Sequence, residues 1–481
     1  VPLVLIVLLA AALRFPTLGA QSIWFDEAAT WDLVRRPLGE MLGRIPDGES
    51  TPPLFYLLEW LSVRVLGDGE AGLRALSALA GVLTVLVAYG IGRRLAGSRA
   101  GLATAALVAV NPLLVWFSQE ARAYALVALL SAASLLLLLR CLDDARRGSL
   151  AAWAIVAILA LATHYFAAFV LAPQALWLLW RHSRRAEANA AVGALVLAGA
   201  ALLPLLLAQR GNPYDIAGES VGIRLLQLPK QFLLGYRGPL AVPLGLLGAA
   251  LVLGGAWLLL RHVDWRTRER ALGVATIGAL GVLIPVLAAL VGTDYLNARN
   301  ALPALVPLLA ALGVAYGASQ ARAAGAALLA GLCALSIAVV IAVAADREYQ
   351  RPDWAGLADA LGETGEPRAL VVTPANGVLA LRYYRPGLET MDAGGAGVSA
   401  VEVVTVAAAD APGAAPELAP LVGTSLGVAG FAPATRIDTP TYAILRFASA
   451  DGRPVTVTPD PLGALRFGER PPAVATVAVD R

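Results

Sequence analysis

Two adjacent carboxylates, Asp26 and Glu27, follow a first apolar segment, Val1 to Leu18, inside the stretch Gln21-Ser22-Ile23-Trp24-Phe25-Asp26-Glu27-Ala28. Tryptophan and other aromatics favour the headgroup layer, so the pair Trp24-Phe25 sets the acids at the lipid-water boundary. Carboxylates at that boundary can meet a water-soluble reactant and a lipid-borne one at once. Consecutive residues point in different directions on a helix or a strand, so the two acids cannot share one role. The bland alternative is that they solvate a helix end or pair with Arg35 or Arg36.

The elements that must position this pair are membrane helices. With 58% hydrophobic residues, 15% charged residues and a mean hydropathy of +0.70, the chain is too apolar for a soluble globule of 481 residues. Its charges fall in short clusters separated by apolar runs of about 15 to 23 residues, and a helix of about 20 residues crosses roughly 30 Å of hydrocarbon. This pattern predicts about eleven spans.

Basic clusters recur at every second loop: Arg93-Arg94 with Arg99, Arg146-Arg147, Arg181 with Arg184-Arg185, Arg261 through Arg270, and Arg322. The positive-inside rule makes these loops cytoplasmic. The connections Gly19 to Gly69, Ser118 to Arg122, Thr163-His164-Tyr165, Gln209 to Gly238 and Thr293 to Asn300 then face outward. That alternation requires Pro52 to Leu66 not to cross. Its Pro-Pro start, Glu59 and Arg64 fit an interfacial or re-entrant helix with Leu54, Leu57, Leu58 and Leu61 at helical spacing.

Cys141 and Cys333 both fall inside predicted spans, which argues against a structural disulfide. Lys230 is the single lysine among 37 basic residues, and the formal net charge is only +3. No basic patch with interleaved aromatics points to nucleic acid. Val1 at the start implies that a short N-terminal piece precedes it, and no cleavable signal is evident.

The last apolar run ends near Ala345, and residues 346–481 read as a small outward-facing soluble α/β domain. Asp353 to Leu361 predicts a helix, Ala369 to Thr373 a strand, Pro374 and Asn376-Gly377 turns, and Val401 to Val406 and Tyr442 to Phe447 further strands. Gly- and Ala-rich connections lie at Ala393 to Gly397 and Ala407 to Ala415.

Three stretches together resemble the polyprenyl-phosphate-sugar-dependent glycosyltransferases of the GT-C superfamily, in particular bacterial glycosyltransferase family 39 proteins, which include protein O-mannosyltransferase and aminoarabinose transferase-like members. They are Arg14-Phe15 through Asp26-Glu27-Ala28, Thr51-Pro52-Pro53-Leu54-Phe55-Tyr56 through Arg74, and Ser118-Gln119-Glu120-Ala121-Arg122-Ala123-Tyr124. Thr163-His164-Tyr165 and Arg299 leading into Leu302-Pro303-Ala304-Leu305 are weaker matches. Each motif alone is common; their order, spacing and shared outward face carry the likeness. It covers about residues 1 to 345, and it implies a GT-C catalytic domain with residues 20–69 as the first outer loop.

The resemblance implies transfer of a sugar, mannose or a relative, from a polyprenyl phosphate to an acceptor hydroxyl with inversion. Removing the acceptor proton as the C1 bond forms calls for a positioned carboxylate, and Asp26 is the candidate base. Glu27 then orients the acceptor or a basic partner. The leaving phosphate calls for fixed cations and donors, for which Arg122 ranks first and Arg299 second, with His164, Tyr165 and Lys230 also on the outward side.

Glu120 and Tyr124 are candidates for acceptor binding. They would share one helix face while Arg122 points nearly the opposite way, so either the helix starts after Glu120 or these residues serve different ends. Local readings compete: snorkelling for Arg122, an ion pair with Arg122 for Glu120, a polar tip for His164, an interfacial ring for Tyr165, and loop solvation for Asp294.

A divalent cation is left open. With only His164, His182 and His262 in the chain, a histidine-rich site is excluded, whereas oxygen ligation by Asp26, Glu27 and Glu120 is not. The expected partners are the lipid-linked sugar donor, membrane lipid, and a glycan, lipid or protein acceptor. The rival classes are a transporter or lipid flippase and a non-catalytic envelope scaffold. Against the first stands the lack of an inverted repeat and of acids at midspan.

Overall fold

The computed structural model describes residues 1–211, 220–363, 366–406, 430–463 and 476–480. The connection Ala407 to Ala415 lies outside the described residues. The chain divides into two units, one formed by Val1–Leu18 and Leu33–Ala342, the other by Gly19–Asp32 and Val343–Arg481.

The first unit is helical. Among the described residues, six helices are long and apolar enough to cross a membrane: Glu70–Val110, Tyr124–Asp143, Ala186–Ala208, Ala241–His262, Trp265–Leu290 and Arg322–Ala345. Pro2–Ala12, Arg147–Thr163 and Leu302–Ala318 are shorter apolar helices. Large apolar side chains such as Leu246, Leu253, Trp257 and Leu197 stay open on their surfaces. Such exposure is costly in water and neutral in lipid.

Glu70–Val110 has 41 residues, far more than one crossing needs, and it breaks at Ala96 and Gly97, where Gly97 takes φ +84°. Its two halves fold back on each other. A Cβ on Gly92 would lie 2.4 Å from Thr104 Oγ1, and one on Gly101 would lie 2.8 Å from the Tyr89 carbonyl oxygen. Leu302–Ala318 packs against the second half through Gly313 and Gly317, one turn apart. A Cβ at Gly317 would stand 2.6 Å from the Ala100 backbone, so only glycine permits this backbone approach.

Polar side chains fix the C-terminal end of the first helix. Arg14, fully buried, donates to the Ala109 carbonyl at 2.7 Å and to Ser118 Oγ at 3.1 Å. Gln119 Nε2 donates to Thr17 Oγ1 at 2.5 Å and to the Arg14 carbonyl at 3.0 Å, and Arg74 Nη1 donates to the Leu18 carbonyl at 2.7 Å. Three motif residues thus act as struts.

Beyond this lie the helices Leu38–Gly48 and Leu54–Leu66. The second has 13 residues, about 20 Å at 1.5 Å per residue, and with Glu59 and Arg64 along it, it stands with neither the six long apolar helices nor the three shorter ones. Its buried side is Phe55, Tyr56, Glu59 and Val63, while the leucine stripe expected from the sequence stays partly or fully open.

In the second unit, six strands form one mixed sheet in the spatial order Glu389–Thr390, Thr476–Asp480, Arg368–Thr373, Ala400–Val406, Tyr442–Ser449, Phe431–Asp438. Arg368–Thr373 and Ala400–Val406 run parallel, with Leu370 opposite Glu402, and the other pairs are antiparallel. A helix, Gly377–Tyr384, lies in the connection between the two parallel strands. The core gathers Val371, Val403, Leu445, Phe447, Leu462 and Val479.

The turn predicted at Pro374 and Asn376-Gly377 is found, closed by the Gly377 amide donating to the Pro374 carbonyl at 2.9 Å, and it runs straight into that helix. Gly377 serves close packing, since a Cβ there would lie 2.0 Å from the Trp354 ring.

Candidate functional site

Asp26 and Glu27 occupy the first turn of the helix Phe25–Val34, where the positive end of the helix dipole favours carboxylates. Both are buried. Glu27 Oε2 lies 3.9 Å from Arg351 Nε, and both side chains are at most 2% exposed. The residues before the acids are pinned by the same unit. Gln21 Oε1 accepts from the Arg351 amide at 3.2 Å and from its Nη1 at 3.1 Å, and the Ile23 amide donates to the Tyr384 hydroxyl at 2.7 Å.

The second constellation lies in the helical unit, around Arg122. The turn Gln119–Ala123 separates the helices Pro112–Ser118 and Tyr124–Asp143, so helix geometry does not fix Glu120 against Tyr124. Of the two expected arrangements, the helix starting after Glu120 is the one found. Arg122 does not snorkel: it is 4% exposed and ion-paired to Glu49, with Nη1 3.1 Å from Oε2 and 3.2 Å from Oε1.

Glu49 is held in turn by Tyr56, whose hydroxyl donates to Oε2 at 2.5 Å, and Thr51 Oγ1 lies 3.0 Å from that hydroxyl. Burial, with Glu49 nearby, raises the Tyr56 hydroxyl well above the ordinary phenol range, so it stays a donor. The Arg122 guanidinium is 6.0 Å from the centre of the Tyr56 ring.

His164 links Arg122 to Arg299. It caps the turn after Arg147–Thr163, is 4% exposed, and its ring lies 5.6 Å from that of Tyr124 and 4.9 Å from that of Phe166. Arg299 in turn stands 6.0 Å from the Tyr124 ring centre. Burial, then the charges of Arg122 and Arg299, lower the His164 pKa to about 3, so the imidazole is neutral at physiological pH. Tyr165 donates to Gln209 Oε1 at 2.7 Å, and Gln209 Nε2 donates to the carbonyls of Ile45 and Thr51 at 3.1 Å each. These bonds tie the His164 turn to the loop that carries Glu49.

His164 thus feels the charges of both Arg122 and Arg299, with the Tyr124 ring beside His164 and Arg299, while Glu49 counters the charge of Arg122. Lys230 donates to the Tyr236 carbonyl at 2.8 Å, and the Tyr236 ring meets Phe117, which packs on Tyr124. Asp294 was expected to be solvated in its loop and is not. It is ion-paired to Arg224, which also donates to the Leu296 carbonyl at 2.6 Å, and the hydrogen bond from Arg224 lowers its pKa. The reason is a helix, Val221–Leu234, in a stretch that reads as loop because it carries no alignable motif.

Sequence reasoning also missed Glu49, Gln209 and Arg351. Only Glu49 had a signal, as an acid two residues before Thr51-Pro52-Pro53. Among the described residues no three His, Cys, Asp or Glu side chains converge as a metal-ligand set.

Residues 50–207 match the family model described as dolichyl-phosphate-mannose-protein mannosyltransferase. Over 93 residues, 18% of the chain, the sequence is 34% identical to a protein of Aquifex aeolicus (strain VF5) described as uncharacterized, and the match spans 19% of that relative's length. In fold, the chain is similar to ArnT from Cupriavidus metallidurans, solved bound to undecaprenyl phosphate. The TM-score is 0.53 at 14% identity, over 92% of this chain and 97% of that one.

Proposed function

We propose, from the match of residues 50–207 to the family model described as dolichyl-phosphate-mannose-protein mannosyltransferase, a multi-pass membrane glycosyltransferase that uses a polyprenyl-phosphate sugar. The sugar is mannose or a relative, and the acceptor is a hydroxyl of a protein, lipid or glycan. The observation that carries this reading is that Arg122, Arg299 and a neutral His164 come within electrostatic reach of one another, the first and last of them inside the matched family region.

In the proposed step Asp26 removes the acceptor proton while the acceptor oxygen bonds C1 of the sugar. The C1–O bond to phosphate breaks on the opposite face, and the phosphate leaves with the bonding pair. Arg122 and Arg299 receive that charge. Both arginines stay protonated at working pH, and a guanidinium presents two donors to two phosphate oxygens. His164, held neutral by burial and then by these cations, offers a hydrogen bond without adding charge.

The break at Ala96-Gly97 supports two crossings from Glu70–Val110. With Ala168–His182 and the remaining apolar helices this makes about eleven spans, an odd number that puts the two ends of the chain on opposite sides. Arg93, Arg94 and Arg99 at the break favour the cytoplasm there. The reaction and the C-terminal unit are then extracytoplasmic.

The test is transfer of labelled mannose from polyprenyl-phosphate mannose by the purified protein in lipid, beside the Asp26→Asn variant and a polyprenyl-phosphate arabinose arm. Label must reach a product, and only with Asp26 intact. A folded protein inert with both donors would move the reading to another donor sugar, and then to a transporter.

A further inference from the structure

We infer that the C-terminal unit takes part in catalysis by positioning the acid pair, with Arg351 and Tyr384 as the positioning residues; this deepens the reading of Asp26 as the base and rests on it. The segment Gly19–Asp32 belongs to the same unit as Val343–Arg481, although more than three hundred residues separate the paired side chains.

The attachment brackets the acids on both sides. Before them, Gln21 takes two hydrogen bonds from Arg351, and Ser22 Oγ donates to Asp353 Oδ1 and accepts from the Ala355 amide, each at 3.2 Å. The Ile23 amide is met by the Tyr384 hydroxyl at 2.7 Å. After them, the Trp31 ring stands edge-on to Tyr383, with centroids 5.2 Å apart. The receiving groups are fixed themselves: Asp353 accepts from Arg347 at 2.9 Å and from Thr441 at 3.2 Å, and it caps the helix Trp354–Leu361.

Arg351 joins both levels of this arrangement. Its guanidinium bonds Gln21 through Nη1 and faces Glu27 through Nε at 3.9 Å, deep in the unit. Opposite charges out of water interact far more strongly than at a surface. The pair therefore fixes the rotation of the helix Phe25–Val34. Each residue of a helix turns by a fixed angle from the last, so seating Glu27 also aims Asp26. Glu27 and Arg351 are then one device, and the base is its output.

The full chain is assayed for mannose transfer from polyprenyl-phosphate mannose as Arg351→Met, Arg351→Lys, Tyr384→Phe, Glu27→Gln and the double variant Glu27→Gln/Arg351→Met. We expect Arg351→Met to lower kcat on the order of 100-fold with donor KM changed less than about 3-fold, Arg351→Lys to recover part, and Tyr384→Phe to lose about 10-fold. The double variant should lose no more than the worse single variant, because one device is removed once. Losses that multiply, or full kcat in folded Arg351→Met and Tyr384→Phe, would overturn the inference.

Hydrogen exchange of amides 19–32 supplies a readout independent of turnover. Faster exchange there in Arg351→Met and Tyr384→Phe supports the seat even if mannose is the wrong sugar; unchanged exchange sinks it. A wild-type protein that transfers nothing defeats the enzymatic reading alone.

Discussion

Tyr56 donates its hydroxyl hydrogen to Glu49 at 2.5 Å, and the carboxylate oxygen that accepts it lies 3.1 Å from the Arg122 guanidinium. The helix Leu54–Leu66 thereby holds the acid that holds the arginine. Glu49→Gln leaves a buried guanidinium without its countercharge, for which the expected cost is about 3–5 kcal/mol. Tyr56→Phe removes one hydrogen bond and should cost about 1 kcal/mol. Melting temperatures in one detergent check the order, and donor KM should rise in Glu49→Gln more than in Tyr56→Phe.

Asp26→Asn keeps the size and hydrogen-bonding reach of the side chain and removes its basicity. Transfer should fall by about 10² to 10⁴-fold while the lipid donor still binds. Single-turnover kinetics with preloaded donor separate the two; weaker donor binding with unchanged chemistry would count against the base assignment.

Arg299→Ala should lower kcat by about 10² to 10³-fold, the range for loss of one group that stabilises developing charge. Arg299→Lys keeps the charge but loses the planar fork, so it should recover only part. Full recovery by lysine would mean that charge alone matters at this position.

His164 has a folded pKa of about 3, below its ordinary value near 6.5. The unfolded chain therefore takes the proton first. The stabilisation is complete above about pH 6.5 and drains away as pH falls toward 3, by about 2 kcal/mol at pH 5. His164→Asn should lose less melting temperature than the wild type between pH 7.5 and 5. Equal losses would show that acid lability comes from elsewhere.

Gly317→Val puts a branched side chain where a Cβ already meets the Ala100 backbone at 2.6 Å. Parting the helices should cost about 1–3 kcal/mol or more. Gly148→Ala, with nothing within 4 Å, serves as the control and should melt like the wild type.

The helical unit was largely legible because lipid imposes two rules that can be read residue by residue: apolar length and arginine asymmetry. Arg93, Arg94 and Arg99 foretold a reversal within what is, by hydrogen bonding, one 41-residue helix. The strands at 368–373, 400–406 and 442–449 were legible from their β-branched runs, their boundaries less so. Arg122, His164 and Arg299 stood in separate loops of the sequence, and their convergence needed the fold. Glu49 and Arg351 were harder, since an acid paired across 73 residues and an arginine paired across more than three hundred leave no local pattern. Asp294 was misjudged because its partner Arg224 sits on a helix with no motif.

The Gln21–Arg351 bond spans 330 residues of chain, which sets an order in time as well as in space. A ribosome delivers Asp26 to the membrane early and Arg351 only after the last apolar helix has emerged. Until then the acid pair lacks the contacts that Arg351 and Tyr384 make around it. With Asp26 as the proposed base, sugar transfer would switch on only once those contacts form, and a nascent fragment would spend no lipid-linked donor.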